Sequence, residues 1–292
     1  MLQAEMTDES KALVESAISE VGEIATLPEI TVKIIQIVED PKSTARDLHD
    51  VIKNDPALST RILKVVNSAF YGLPGQISSI DRAIVLLGLS AVKNIAIAAS
   101  MTHLFHGGAD IEGFSGTEVW RHSVAVGVAA RMLSTAQGRP PIEESFLAGL
   151  ISDLGLLIER QIYAKQLTEV LARYKNDGGD YCHLETELIG ADHQAFGMAL
   201  AGKWRFPQIL CTTIGYHHKP MDLAEANREL PALVHVADIL ACRSEIGFCT
   251  YAPDMEIAPE LLEVIKLKPE GIEEVYAEYP EQVSMAESIF SE

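Results

Sequence analysis

Six widely spread side chains in this 292-residue chain form a candidate set for holding a cation: His122, Asp153, His193, His217, His218 and Asp238. Asp153 lies inside an apolar run, between Leu147-Ala148-Gly149-Leu150-Ile151 and Leu154-Gly155-Leu156-Leu157-Ile158. A carboxylate in such a run cannot stay dry without a partner. Asp238 is framed by Leu233, Val234, Val236, Ala237, Ile239, Leu240 and Ala241, so it needs hydrogen bonds, a cation or a proton. Imidazoles and carboxylates together suit iron, manganese or zinc better than calcium. Each position also has a plainer role open to it. His122, among Val119, Val126 and Ala129, fits a satisfied core histidine. Asp153 and His193 stand where helices begin, so Asp153 has an N-cap role open to it, and His217-His218 precede Lys219-Pro220 at a helix C-terminus, where imidazoles suit the helix dipole.

The elements that must position these residues read as helices. Val32, Ile35, Ile37 and Val38 follow Pro28, and Asp40-Pro41 closes that segment. Thr44 with Asp47 has the pattern of a capping box, and Asp55-Pro56 is a strong helix start. Leu58, Ile62, Leu63, Val65 and Val66 then recur at three- and four-residue steps until the breaker cluster Tyr71-Gly72-Leu73-Pro74-Gly75. Ser78 and Asp81 cap a further helix that ends around Gly88. The glycine-rich segment 105–116 reads as a link, and a long helix over 117–137 is stopped by Gly138-Arg139-Pro140-Pro141. Further helices are expected over 142–151, 155–176, 181–190, 193–204, 207–216 and 229–246. Alternating strands and fixed-period repeats are absent. The expected fold class is all-α: a two-lobed helical bundle with an extension at 1–22, lobes at 23–106 and 117–250, and an acidic helical extension at 251–292.

Composition narrows the function classes. With 48% hydrophobic residues the chain is not largely disordered, and its formal charge of −19 argues against a nucleic-acid surface. The region from Asp254 to Glu292 holds eleven carboxylates against Lys266 and Lys268, which fits a solvated helical face better than a docking tail. Cys182, Cys211, Cys242 and Cys249 show no CxxC spacing, as expected in a reducing cytoplasm. The N-terminus lacks a basic segment backed by an apolar one, so no signal peptide is expected. The apolar stretch from Ile84 to Met101 is interrupted by Lys93-Asn94, so no membrane span is expected either. Ser123 sits in no nucleophile elbow, and Gly107-Gly108 in no phosphate loop. Phe70-Tyr71 has the makings of a recognition patch, though packing of a helix end is the simpler role.

Two stretches resemble one family. Asp55-Pro56-Ala57-Leu58, Arg61-Ile62-Leu63, Asn67-Ser68-Ala69-Phe70-Tyr71-Gly72, Ile77-Ser78-Ser79-Ile80 and Ala83-Ile84-Val85-Leu86-Leu87-Gly88 resemble the front half of the HDOD domain. That family is a divergent branch of the HD phosphohydrolase superfamily. Trp120-Arg121-His122-Ser123, Phe146-Leu147-Ala148-Gly149-Leu150, Asp192-His193, Trp204-Arg205-Phe206-Pro207, His217-His218 and His235-Val236-Ala237-Asp238 resemble its HD-like lobe. Together these cover about residues 20 to 250, and the lobes at 23–106 and 117–250 become the HDOD N-terminal and HD-like lobes.

In metal-using relatives, the resemblance implies ligands that fall on His122, Asp153, His193, His217, His218 and Asp238. The histidine of the HD pair falls on Ser152, a poor ligand. That change weakens the metal position of His122, Ser152 and Asp238, whereas Asp153, His193 and the His217-His218 pair keep theirs. Cations for phosphate are scarce: Arg121, Arg160, Lys203, Arg205 and Lys219 are near the ligands in sequence without forming a loop. The chain continues Lys219-Pro220-Met221-Asp222, without the glycine-tyrosine-proline segment of cyclic-dinucleotide-cleaving relatives.

The resemblance therefore implies a bacterial signal-transduction module that is non-catalytic, regulates by binding a protein partner, and receives its input in trans. It requires no cofactor and leaves room for a single divalent iron, manganese or zinc ion. The alternative is a metal-dependent phosphohydrolase with an altered site. Neither the partner nor the oligomeric state is written in the periodicity.

Overall fold

The structure is a computed structural model that describes residues 7–22, 27–40, 42–68, 71, 73, 75–106, 110–138, 142–251 and 255–290. Helices are the only extended elements among them, with one isolated antiparallel bridge between Ile111 and Phe114. Phe70, Gly107, Gly108, Pro41 and the Arg139-Pro140-Pro141 stop lie outside the described residues.

The first helices are α1 (Asp8–Glu20), α2 (Glu29–Glu39), α3 (Ala45–Ile52), α4 (Pro56–Val66), α5 (Ile80–Leu87) and α6 (Leu89–His106). Their starts follow side-chain chemistry. Thr44 and Asp47 form the capping box of α3, and Asp55 accepts from Leu58 N–H ahead of Pro56. The cap of α5 is Ser79, one residue later than expected, because its hydroxyl accepts from Arg82 N–H. Helix α6 is buried nearly all round and is packed by α2, α3, α4 and α5. The two polar residues that interrupt its apolar run are structural ties: Lys93 Nζ donates to Ile37 O at 3.0 Å, and Asn94 donates to Glu143 O at 2.9 Å. The expected link at 105–116 begins as helix, since α6 continues through His106 with Phe105 buried against Trp120.

The second set is α7 (Gly116–Ala136), α8 (Ser145–Leu150), α9 (Leu154–Ile162), α10 (Ala164–Asp177), α11 (Tyr181–Leu188), α12 (His193–Lys203), α13 (Gln208–Tyr216), α14 (Glu229–Arg243), α15 (Pro259–Ile265) and α16 (Pro269–Phe290). One hydrophobic cluster runs from α1 to α16. Three boundaries differ from expectation. The stretch 142–151 is helical only as α8. The stretch 155–176 breaks into α9 and α10 at Tyr163, whose backbone leaves the helical region (φ −118°, ψ 33°) while its ring packs on Phe196. Helix α14 stops at Arg243, and the chain turns through Glu245 at φ 51°.

The acidic C-terminal helix is part of the body. Ile272, Val275, Tyr279, Val283, Ala286, Ile289 and Phe290 form the buried face of α16, which packs on α7, while Glu273, Glu274, Glu278 and Glu281 face solvent. Trp120 Nε1 donates to Phe290 O at 3.1 Å, and the Phe290 ring stacks on Phe146 at 5.7 Å. Tyr71 packs too, under the Arg131 guanidinium at 3.9 Å from its ring centre. Truncating a buried phenylalanine costs about 3–5 kcal/mol. Phe290→Ala is expected to lower unfolding free energy by about 3 kcal/mol in urea titrations, with loss of near-ultraviolet tryptophan signal from Trp120.

Candidate metal centre

Local chain geometry brings the six residues to one place. His122 comes from the middle of α7, Asp153 from the turn joining α8 to α9, His193 from the first position of α12, His217 and His218 from the end of α13, and Asp238 from the middle of α14. The closest approach is between α9 and α12. A Cβ on Gly155 would lie 1.8 Å from the His193 carbonyl oxygen and 2.9 Å from Gly197 N, so only glycine permits this crossing. It sets Asp153 beside His193. Asp192 caps α12 by accepting from Ala195 N–H at 2.9 Å, which frees His193 to turn inward.

Asp153 is 3% exposed, and its carboxylate makes no capping bond to α9. It faces imidazoles instead. Oδ1 lies 3.3 Å from His217 Nε2 and 3.7 Å from His193 Nε2, and Oδ2 lies 3.7 Å from His122 Nε2. Burial would raise this carboxyl, but His217 first, then His122 and His193, more than offset it and hold it down at about 2. Ligand atoms of Asp153, His193, His217 and His218 all lie within 4.8 Å of one another.

The outer nitrogens of these histidines are committed. His193 Nδ1 donates to Glu185 at 2.8 Å and its backbone N–H donates to the same carboxylate at 3.1 Å; His217 Nδ1 donates to Ile214 O at 2.9 Å. Both rings therefore turn Nε2 inward, as ligating histidines do. His217 Nε2 is buried without a hydrogen-bond partner, and His193 Nε2 lies 3.0 Å from His218 Nε2. Ring nitrogens that converge beside a carboxylate fit a single divalent cation. Such an ion would be held by those three nitrogens and Asp153 and would supply a Lewis acid. Burial, and then the neighbouring imidazoles, push His218 well below its ordinary range.

His122 and Asp238 have a different relation. His122 Nε2 meets Asp238 Oδ1 at 2.9 Å, and its Nδ1 meets Ile246 O at 3.1 Å. Burial alone would lower this imidazole, but bonds to Asp238 and Cys249 and the charges of Asp238 and Asp153 hold it well above its ordinary range. Ser152 is turned away: its hydroxyl donates to Gly149 O at 2.9 Å.

Several functional residues escaped sequence reasoning. Glu185 orients His193, and Glu159 behind it is wholly buried with both carboxylate oxygens unpartnered. Burial first and Glu185 second push Glu159 well above the carboxylate range. His235, one turn before Asp238, donates to His217 O at 2.6 Å. Tyr251 bonds His218 Nδ1 and approaches His235 Nδ1 at 3.2 Å. Only the i, i+3 spacing of His235 and Asp238 could have signalled any of these.

A cavity of about 740 Å³ opens beside the centre, lined by His218, His235, Tyr251, Gln194 and Lys219 among others. Lys219 is the cation there, and it is paired to Asp192 at 3.2 Å. Arg121 pairs with Glu118 and Glu287, Arg160 reaches Phe105 O, and Lys203 reaches Ile18 O, so these cations are used elsewhere.

This all-helical fold with a histidine-aspartate centre defines the class of HD-like proteins. The HDOD domain family model matches residues 24–220, and the chain belongs to that family. An uncharacterised protein of Treponema pallidum (strain Nichols) is 25% identical over 236 residues, 80% of this chain and 45% of that protein. The chain thus spans about half the length of that curated relative. Among solved structures, an HDOD domain protein of unknown function from Geobacter sulfurreducens matches with TM-score 0.82 and 23% identity, over 97% of this chain and 98% of its own. A protein named as a candidate phosphohydrolase from Shewanella amazonensis SB2B matches with TM-score 0.74 and 23% identity, over 95% and 98%. One named as a candidate signal transduction protein from Marinobacter aquaeolei VT8 matches with TM-score 0.76 and 20% identity, over 100% and 68%. These likenesses establish the fold. No helix among the described residues is long and apolar enough to cross a membrane.

Carboxylates that orient ligating histidines typically matter by roughly 10- to 100-fold in metal affinity. Glu185→Gln is expected to weaken manganese or zinc binding at the quartet by roughly that factor, read by competition with a chelator. For the metal-free protein, the depressed Asp153 carboxyl contributes stability that is present above its ordinary value of 3.8 and is lost as pH falls toward about 2. Relative to Asp153→Asn, the wild type should lose on the order of 2 kcal/mol across that window in denaturant titrations.

Proposed function

We propose that this chain is a bacterial signal-transduction module of the cytoplasm that acts by binding a protein partner and turns over no substrate. The observation that carries this reading is the direct 2.9 Å pairing of His122 with Asp238, with the Ser152 hydroxyl given to Gly149 O. Two-metal hydrolysis needs paired cations about 4 Å apart to activate water and clamp the phosphate. The residues that would hold one of the two are spent on each other. The scarcity of unpaired cations at the cavity supports the same reading, because a phosphoester needs positive charge in its site. In this proposal the helices around α6 form the partner-binding lobe, the 117–250 region is its scaffold, and a single ion of iron, manganese or zinc in the quartet staples α9, α12 and α13.

The alternative reading is a single-metal phosphohydrolase. It is favoured by the convergence of Asp153, His193, His217 and His218 and by the cavity at His218. The name of the Shewanella protein points the same way, and that of the Marinobacter protein points to signalling.

The deciding experiment combines metal content with turnover. Protein purified without chelator or nickel resin is expected to carry at most one iron, manganese or zinc in the quartet and to hydrolyse neither phosphomonoesters nor cyclic nucleotides with added Mn²⁺ or Fe²⁺. Turnover that disappears in Asp153→Ala would overturn the non-catalytic reading. Ser152→His should raise metal occupancy at the His122 position if that cage is preorganised.

A further inference from the structure

We propose that His122, Cys242 and Cys249 form a separate thiolate site for zinc, beside the quartet and independent of whether the quartet holds a metal. A ring nitrogen of His122 and both sulfurs lie within 4.8 Å of one another. Two thiolates and an imidazole are a common zinc donor set, and softer than anything in the quartet.

The sequence places these donors by two devices. Cys242 follows Asp238 by one helical turn on α14, so its thiol lies over the same face and donates to Asp238 Oδ1 at 3.5 Å. Cys249 arrives from the loop after α14. That loop lies directly on α7: Phe248 N–H donates to Glu118 O at 3.1 Å, and Gly247, at φ 70°, touches the His122 backbone. A Cβ there would come 2.5 Å from His122 N and 2.4 Å from Glu118 O. Glycine is thus required for Cys249 to reach His122.

Two further features suit a cation. His122 stands between two acceptors, Asp238 Oδ1 on Nε2 and Ile246 O on Nδ1, so the position on Nδ1 lies opposite the carboxylate. Zinc on Nδ1, in place of the contact with Ile246 O, would leave Nε2–H on Asp238. A carboxylate behind a ligating histidine is the usual arrangement. In addition, Asp238 Oδ2 is buried without a hydrogen-bond partner, on a residue 1% exposed whose other oxygen already holds both His122 and Cys242. His218 Nδ1 stands 3.9 Å from that oxygen, and a positive charge at the thiolate site would stabilise the carboxylate further.

The site would replace the metal position that Ser152 abandoned with one built from different residues around the same histidine. It also has a route to the quartet. The loop that carries Cys249 also carries Tyr251, which bonds His218 and approaches His235. Zinc bound at Cys249 would hold that loop, and Tyr251 with it, over the quartet and the cavity mouth.

Cobalt is the probe, because cobalt bound to thiolates gives a charge-transfer band that imidazole and carboxylate ligands do not. The full chain, stripped of metal and reduced, is titrated with Co²⁺ and then with zinc. The band is expected in the wild type and in Asp153→Asn, and is expected to be lost in Cys249→Ser and in Cys242→Ser. Zinc should displace the cobalt and slow alkylation of Cys249 in the wild type, a readout that does not depend on either serine variant folding. A folded wild type without the band, or a band that survives both serine variants, overturns the proposal. So does a Cys242–Cys249 disulfide formed under hydrogen peroxide, with loss of two hydrogens and reduction of peroxide to water, in protein that takes up no cobalt; the pair would then be a redox couple. Because Asp153→Asn disables only the quartet, failure of the thiolate site and failure of the single-metal reading give different patterns.

Discussion

A carboxylate buried at a helix junction, with three imidazoles turned toward it, is the constraint around which the second half of this molecule is arranged. Asp153 cannot be desolvated alone. His217, His193 and His122 compensate it from three different helices, and each of those helices must then be held at a fixed distance. The α9–α12 crossing meets that demand most strictly, since the Gly155 backbone touches the His193 carbonyl and tolerates no side chain. Glu185 and Ile214 O then decide which nitrogen of each ring faces inward.

A second polar pair lies beside this carboxylate: with the hydroxyl of Ser152 given to Gly149 O, His122 and Asp238 bond each other. A buried ion pair of this kind is costly to break and gains little over a well-packed apolar pair, so it is weak as a source of stability but strong as a way of keeping two helices in register. Helices α7 and α14 pack together with that pair between them. The His122–Asp238 bond thus joins α7 to α14 beside the cluster of Asp153, His193, His217 and His218.

Around this centre, the rest of the chain acts as cladding. Helix α16 covers α7 with an apolar face whose opposite side is acidic, so much of the net charge of −19 sits on the solvent face of a structural helix. Helix α6, buried on nearly every side, receives the front helices on one flank and α7 and α8 on the other. Lys93 and Asn94 in its middle are read from sequence as interruptions, yet their hydrogen bonds to Ile37 O and Glu143 O tie it to neighbours on both flanks.

The chain's own sequence settled the helical class, the caps at Thr44 and Asp55 and the family, because periodicity and capping are local and the family is carried by residue type, and it offered six candidate ligands as an expectation. Ser79 rather than Ser78, the break at Tyr163 and the early end of α14 were beyond it, since a one-residue shift of a cap or a packed ring is decided by neighbours. Tertiary structure alone decided how the ligands divide. It joined Asp153 with His193, His217 and His218, paired His122 with Asp238, and brought Glu185, Glu159, His235, Tyr251 and the two cysteines to the same place. These partners come from α9, α11, α14 and the loop after it, and apart from the one-turn steps from Asp238 to His235 and to Cys242 nothing in their spacing marks them. Which nitrogen carries a proton and which carboxylate is left unpaired depend on distances of a few ångströms between helices, and only packing sets those.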